Sequence, residues 1–185
     1  MTEIPELNEG ARPRAPKLAN VTSAQRQVGR TLAAIHRLHL RDMAQVKLLI
    51  DRIEEDRAAA PGLVAHLGGM GMNRNLQLFG TLCGRECNHL LFHHGAEEQQ
   101  IFPAVESRAG SGFAALVAKL REEHLVVHAL LEDLAQGAQA LSDSPDDETY
   151  ASLRDTFNRL HAVLRSHFHY EETELEEALG AFNLI

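Results

Sequence analysis

The chain has no tryptophan, two tyrosines and two cysteines among 185 residues. The cysteines, Cys83 and Cys87, are too few for a disulfide framework, and such sparse thiol usage suits a reducing, cytoplasmic setting. Six prolines and 13 glycines are too few for a loop-rich β fold of this length. Positive charge is also scarce: 18 Lys and Arg stand against 26 Asp and Glu, a formal net of −8. Nucleic acid and anionic membranes both select a basic surface, so neither is an expected partner. No run approaches the roughly 18 apolar residues of a membrane span. Met1 to Gly10 hold neither the basic start nor the apolar stretch of a signal peptide. The remainder is 44% apolar and 24% charged, ordinary for a soluble globule of one domain. Histidine is the residue in excess, at 11.

Residues 1–21 contain Pro5, Pro13 and Pro16 with little apolar pattern, and read as a flexible N-terminal tail. Residues 22–185 read as the folded domain. Ser23 suits an N-cap, after which Ile35, His36, His39, Met43, Val46, Ile50 and Ile53 recur at three- and four-residue steps. Pro61-Gly62 is the expected end of that helix. A second stripe runs from Met72 to Pro103 through Leu76, Phe79, Leu82, Cys83, Glu86, Leu90, His93, Glu97 and Ile101. Gly110-Ser111-Gly112 breaks the pattern, with Ser111 a candidate cap. The third stripe is Leu116, Val117, Leu120, His124, His128, Leu131 and Ala135; Ser142 to Pro145 separates it from the fourth. That one is Leu153, Phe157, Leu160, Leu164, His167, Glu171, Leu175, Ala178 and Leu179. The expected fold is all-α, an up-down four-helix bundle with a metal site in its core.

Residues four apart on a helix share a face, so their side chains can reach one ion. Six histidines here have His or Glu four residues later: His89/His93, His93/Glu97, His94/Glu98, His124/His128, His128/Glu132 and His167/Glu171. Composition alone predicts about 1.7 such pairs. Lone histidines such as His66, His161 and His169 read as ordinary solvated or core residues. The paired ones lie inside apolar stripes, where unpartnered imidazoles and carboxylates would be costly. A metal supplies the partner, and a donor set without thiolate-rich clusters suits Fe, Mn or Zn. Adjacent positions leave two registers open on the second helix, His93/Glu97 or His94/Glu98, and two candidates on the first, His36 or His39.

His93-His94-Gly95-Ala96-Glu97-Glu98-Gln99-Gln100-Ile101-Phe102-Pro103 resembles the HHxxEExxxFP signature of hemerythrin-like (HHE cation-binding) domains. Glu122-Glu123-His124-Leu125-Val126-Val127-His128 resembles their third-helix HxxxH, and His167-Phe168-His169-Tyr170-Glu171-Glu172 their closing HxxxEE. The similarity spans about residues 30–180. It implies a four-helix bundle holding two Fe ions with a bridging oxo or hydroxo group. Position by position, the implied ligands are His36, His93, Glu97, His124, His128, His167 and Glu171, with the two glutamates as bridges. The resemblance favours His93 because the family proline follows its ligand by ten residues, as Pro103 follows His93. It favours His36 through the spacing to Met43, Val46 and Ile50. Glu86, His89 and Tyr170 fall near the site by helical spacing, as candidates to orient ligands. Cys83 shares their face and reads as a buried small hydrophobe.

The implied function is binding or reduction of a small oxidant: dioxygen, nitric oxide or peroxide. Peroxidase- or catalase-like turnover and nitric oxide reduction are the enzymatic forms of that expectation, with an unidentified electron donor. The closing motif has Glu171 where marine oxygen carriers have an aspartate one residue further on, so oxygen storage does not follow. The alternative is a metal- or oxygen-responsive sensor or interaction module, with residues 1–21 as its contact segment.

Overall fold

The computed structural model describes residues 6–69 and 90–185. Its helices are α1 (Ser23–Gly29), α2 (Leu32–Glu55), α3 (Ala60–Gly69), α4 (Leu90–Ala96), α5 (Phe102–Ala109), α6 (Ala114–Asp143) and α7 (Asp147–Ala181). A π-helical turn, Glu97–Ile101, joins α4 to α5. Among the described residues there is no strand, and no helix is long and apolar enough to cross a membrane. The architecture is a helical bundle whose long members are α2, α6 and α7. The part of the second stripe from Met72 to His89, with Cys83, Glu86 and Cys87, lies outside the described residues.

Local chemistry sets the breaks. Thr22, one residue before the expected Ser23, caps α1: its hydroxyl accepts from Gln25 N–H at 3.2 Å, and Gln25 Oε1 accepts from Thr22 N–H at 2.9 Å. The expected single first helix is interrupted at Arg30–Thr31, because α1 packs across α7 at two glycines. A Cβ on Gly29 would overlap the Glu176 carbonyl, and one on Gly180 the Gln25 carbonyl. Pro61-Gly62 begins a helix where the sequence suggested an end. Pro61 sits in the first turn of α3, where a missing N–H leaves no bond unmade. Pro103 similarly opens α5, and just before it Phe102 N–H bonds Glu97 O, five residues back. Gly110, at φ 83°, makes the next break, and Ser111 makes no side-chain cap. Asp146 caps α7, accepting from Thr149 N–H at 2.8 Å.

The core has two apolar clusters. One contains Met43, Ile50, Leu63, Val127, Leu134, Leu160 and Leu164; the other contains Leu32, Phe102, Val105, Leu116, Leu120, Leu175 and Leu179. Each fully buried Leu or Phe contributes about 1.5–3 kcal/mol of transfer free energy. On α2, His36 and His39 fall between Leu32 and Met43; on α6, His124 falls between Leu120 and Val127; on α7, His167 and Glu171 fall between Leu164 and Leu175. With α4 and its π turn, which add His93, His94 and Glu97, four walls contribute polar groups to one buried layer, held between two apolar blocks.

Within the expected tail, residues 6–18 lie as a strap along α7. Glu9 pairs with Ser166, the Tyr170 hydroxyl donates to Pro13 O at 2.8 Å, and Glu174 accepts from Arg14 and from Ala15 N–H. Glu177 accepts from Leu18 N–H at 3.0 Å. Proline fixes φ near the extended range, which pre-sets a strap conformation. Pro16 also packs where Gly112 has no side chain: a Cβ there would stand 2.6 Å from its Cγ.

Candidate metal centre

α2, α4, α6 and α7 turn His36, His93, His94, His124, His167, Glu97 and Glu171 into the buried layer, none more than 7% exposed. They fall into two groups, within each of which the donor atoms lie within 4.8 Å of one another. The first is His36, His93, Glu97 and Glu171; the second is His94, His124 and His167. The carboxylates face both. Glu97 Oε1 lies 3.1 Å from His93 Nε2, and its Oε2 3.6 Å from His124 Nε2. Glu171 Oε2 lies 3.3 Å from His36 Nε2 and 3.8 Å from His167 Nε2.

The outer nitrogens are occupied. His36 Nδ1 meets Glu172 at 2.8 Å, His124 Nδ1 meets Glu98 at 2.9 Å, and His167 Nδ1 meets Glu123 at 3.1 Å. The carboxylate oxygens accept, so each Nδ1 donates outward and each Nε2 faces inward. His94 Nδ1 meets His128 Nε2 at 3.0 Å. His128 thus stands one step outside the second group, and His94 stands in it. The reason lies in the third stripe. Four-residue steps rotate about 40° each on a helix of 3.6 residues per turn. Running from Leu116 through Leu120 and His124, they carry His128 off the core face, where Val127, Leu130 and Leu134 continue it. Leu131 is only half-buried and Ala135 is exposed.

The two-register question on the second helix also has a geometric answer. Neighbouring residues point about 100° apart. His93 and His94 use that divergence, the first contacting His36 Nε2 at 2.9 Å and the second stacking on His124 at 3.8 Å between ring centroids. Of the glutamates, Glu97 is buried between the groups, and Glu98 is 39% exposed behind His124. On α2, His36 belongs to a donor group, and His39 is buried beside it with its ring 5.1 Å from that of His93. Tyr170 braces the strap and does not touch a donor group residue by hydrogen bond. Glu123 and Glu172 were not singled out from sequence. The signal for Glu172 is the Glu-Glu pair: in Glu97-Glu98 and Glu171-Glu172 one member faces in and the other reaches a histidine's outer nitrogen.

Burial dominates the electrostatics. It pushes the Glu97 carboxyl well up, aided by the Glu171 charge, and pushes His93 and His94 well down, aided by neighbouring imidazoles. His124 is lowered to about 4 by burial and then by His167. Burial opposes the charge on Glu171 too, but His36, 3.3 Å away, and the surrounding rings outweigh it and hold that carboxyl below its ordinary range. His36 is raised: burial disfavours its charge, and the neighbouring carboxylates of Glu171 and Glu172 exceed that effect.

Seven buried atoms in this layer have no hydrogen-bond partner: Nε2 of His94, His124 and His167, and both oxygens of Glu97 and Glu171. Each such atom costs about 1–3 kcal/mol, so together they rival the ~5–15 kcal/mol stability of a typical domain. Cations aimed at by lone pairs remove that cost, and nitrogen with carboxylate oxygen fits transition metals of the iron, manganese or zinc kind. The hemerythrin HHE cation-binding domain model matches residues 27–179. No curated protein matches, and no solved structure does.

Proposed function

The chain belongs to the hemerythrin HHE cation-binding family, and we propose that it is a non-haem di-iron protein that binds or reduces dioxygen, nitric oxide or peroxide. The observation that carries this reading is the convergence of buried histidine and carboxylate donors from four helix walls into two groups. His36 and His93 would hold one ion, and His94, His124 and His167 the other. Glu97 and Glu171 would be shared, and an oxo or hydroxo group would complete the bridge. This set keeps five histidines and two carboxylates, with His94 in the place the resemblance gives to His128. Such a centre supplies electrons to a small oxidant at an open coordination position.

The protein's own part is to orient and to exclude. Glu172, Glu98 and Glu123 fix the ring tautomers of His36, His124 and His167. The apolar clusters above and below keep water from the layer, Phe168 lying flat on His36 at 3.9 Å. The test is metal content and visible absorption of protein from iron-replete cells, before and after air, followed by turnover of peroxide and nitric oxide. About two irons per chain are expected, with a band that bleaches on reduction. Colourless protein that cannot take up half an equivalent of iron overturns the reading.

A further inference from the structure

We infer that Arg12, on the strap, is a positioning residue for the metal centre, acting through Glu123 on His167; this rests on the metal reading above. The strap lies outside the residues that match the family model, 27–179. Its Arg12 reaches between α6 and α7. The guanidinium grips Glu123 with two bonds, Nε to Oε1 at 2.8 Å and Nη2 to Oε2 at 3.0 Å. Nη1 bonds Ser166 Oγ at 2.9 Å, and the guanidinium lies 4.7 Å over the Tyr170 ring. Each guanidinium nitrogen thus has a partner, and the side chain is 12% exposed. Glu123 is fully buried, and the Oε2 that accepts from Arg12 also accepts from His167 Nδ1. A buried carboxylate held by an arginine fork is fixed in plane and in position. It therefore holds the His167 proton on Nδ1 and keeps Nε2 directed inward. Glu172 and Glu98, which serve His36 and His124, are partly exposed. His167 alone among these three has its brace buried and tied to a segment outside the bundle.

The test uses the full chain in two states. In metal-free protein, imidazole nitrogen resonances report each ring's tautomer; in cobalt(II)-loaded protein, release to a chelator reports ligand hold. Arg12→Ala is expected to shift the His167 resonances towards mixed tautomers, leave those of His36 in place, and speed cobalt release about tenfold. Arg12→Lys, with one bond in place of a fork, is expected to restore part of both. Arg14→Ala removes a strap contact to Glu174 and is expected to leave His167 unchanged. Glu123→Gln keeps the side-chain volume and is expected to reproduce the His167 shift, which covers an Arg12 variant that fails to fold. Equal effects of Arg12→Ala and Arg14→Ala, or a His167 ring indifferent to Arg12→Ala and Glu123→Gln, overturn the inference. Wild-type protein that takes up no cobalt overturns the metal reading instead, and the imidazole spectra still decide the tautomer relay.

Discussion

The two donor groups differ in what balances them. The first, His36, His93, Glu97 and Glu171, contains its own anions; the second, His94, His124 and His167, is nitrogen only. The second is instead braced from behind at every ring, by His128, Glu98 and Glu123. A cation in the first group is neutralised by direct contact, whereas one in the second depends on carboxylates shared across the layer or one ring removed. The groups should therefore fail differently. Removing a shared carboxylate has the largest expected effect, since both groups lose charge compensation. Glu97→Ala should take metal content from about two ions per chain to none, with helix content retained by circular dichroism. Retention of one full equivalent would mean that Glu171 alone compensates an ion in this layer.

His94 and His128 separate inner from outer position. His94→Ala removes a donor from the second group and should cost that group its ion, leaving about one per chain. His128→Ala removes only the brace on His94 Nδ1, and about tenfold weaker affinity is expected for one ion of two. The reverse order, with His128→Ala losing an equivalent and His94→Ala near wild type, would exchange their roles. Metal titration followed by elemental analysis reads both. Stripping the metal from wild-type protein compares the layer with and without its cations. Binding to the folded bundle only, at 100 times the dissociation constant, adds about 2.7 kcal/mol of stability. Coincident melting of stripped and loaded protein would leave the donor layer without a metal role.

The same contrast between direct and indirect support governs what the sequence reveals. All nine positions of the α7 stripe, from Leu153 to Leu179, are buried as the periodicity predicts, because their mixed three- and four-residue steps track a straight helix. The α6 stripe drifts at His128 because it accumulates four-residue steps. His–x–x–x–Glu spacing exposes first contacts such as His93/Glu97. It is silent on partners supplied from other elements: Glu172 for His36, Glu98 for His124 and Glu123 for His167. The strap is the extreme case. Residues 6–18 have no periodicity, and their order comes from Arg12, Pro13 and Leu18 meeting groups on α6 and α7, contacts that no local pattern encodes.

The smallest expected effect separates the carboxylates' electrostatic role from their shape. Glu97→Gln keeps the side-chain volume and removes the charge. In metal-free protein the raised Glu97 carboxyl, desolvated and facing the Glu171 charge, binds a proton that the unfolded chain has released. A group raised in the folded state contributes stability below its unfolded pKa and loses that contribution as pH rises through the folded value. Wild-type metal-free protein therefore carries a growing penalty from Glu97 as pH rises above the ordinary carboxylate range. His124 has the opposite sign. Lowered to about 4, it stays neutral while the unfolded ring protonates, so its contribution is intact above pH ~6.5 and lost as pH falls towards 4. Glu97→Gln removes the first slope and leaves the second. At pH 7.5, metal-free Glu97→Gln should be more stable than metal-free wild type by on the order of 1 kcal/mol in urea melts. Its advantage should shrink as pH falls into the ordinary carboxylate range, where the unfolded chain also holds the proton. In the metal-loaded state the order should invert, because the amide cannot neutralise a cation. A variant less stable than wild type both with and without metal would mean that the Glu97 carboxyl carries no charge penalty in the metal-free layer.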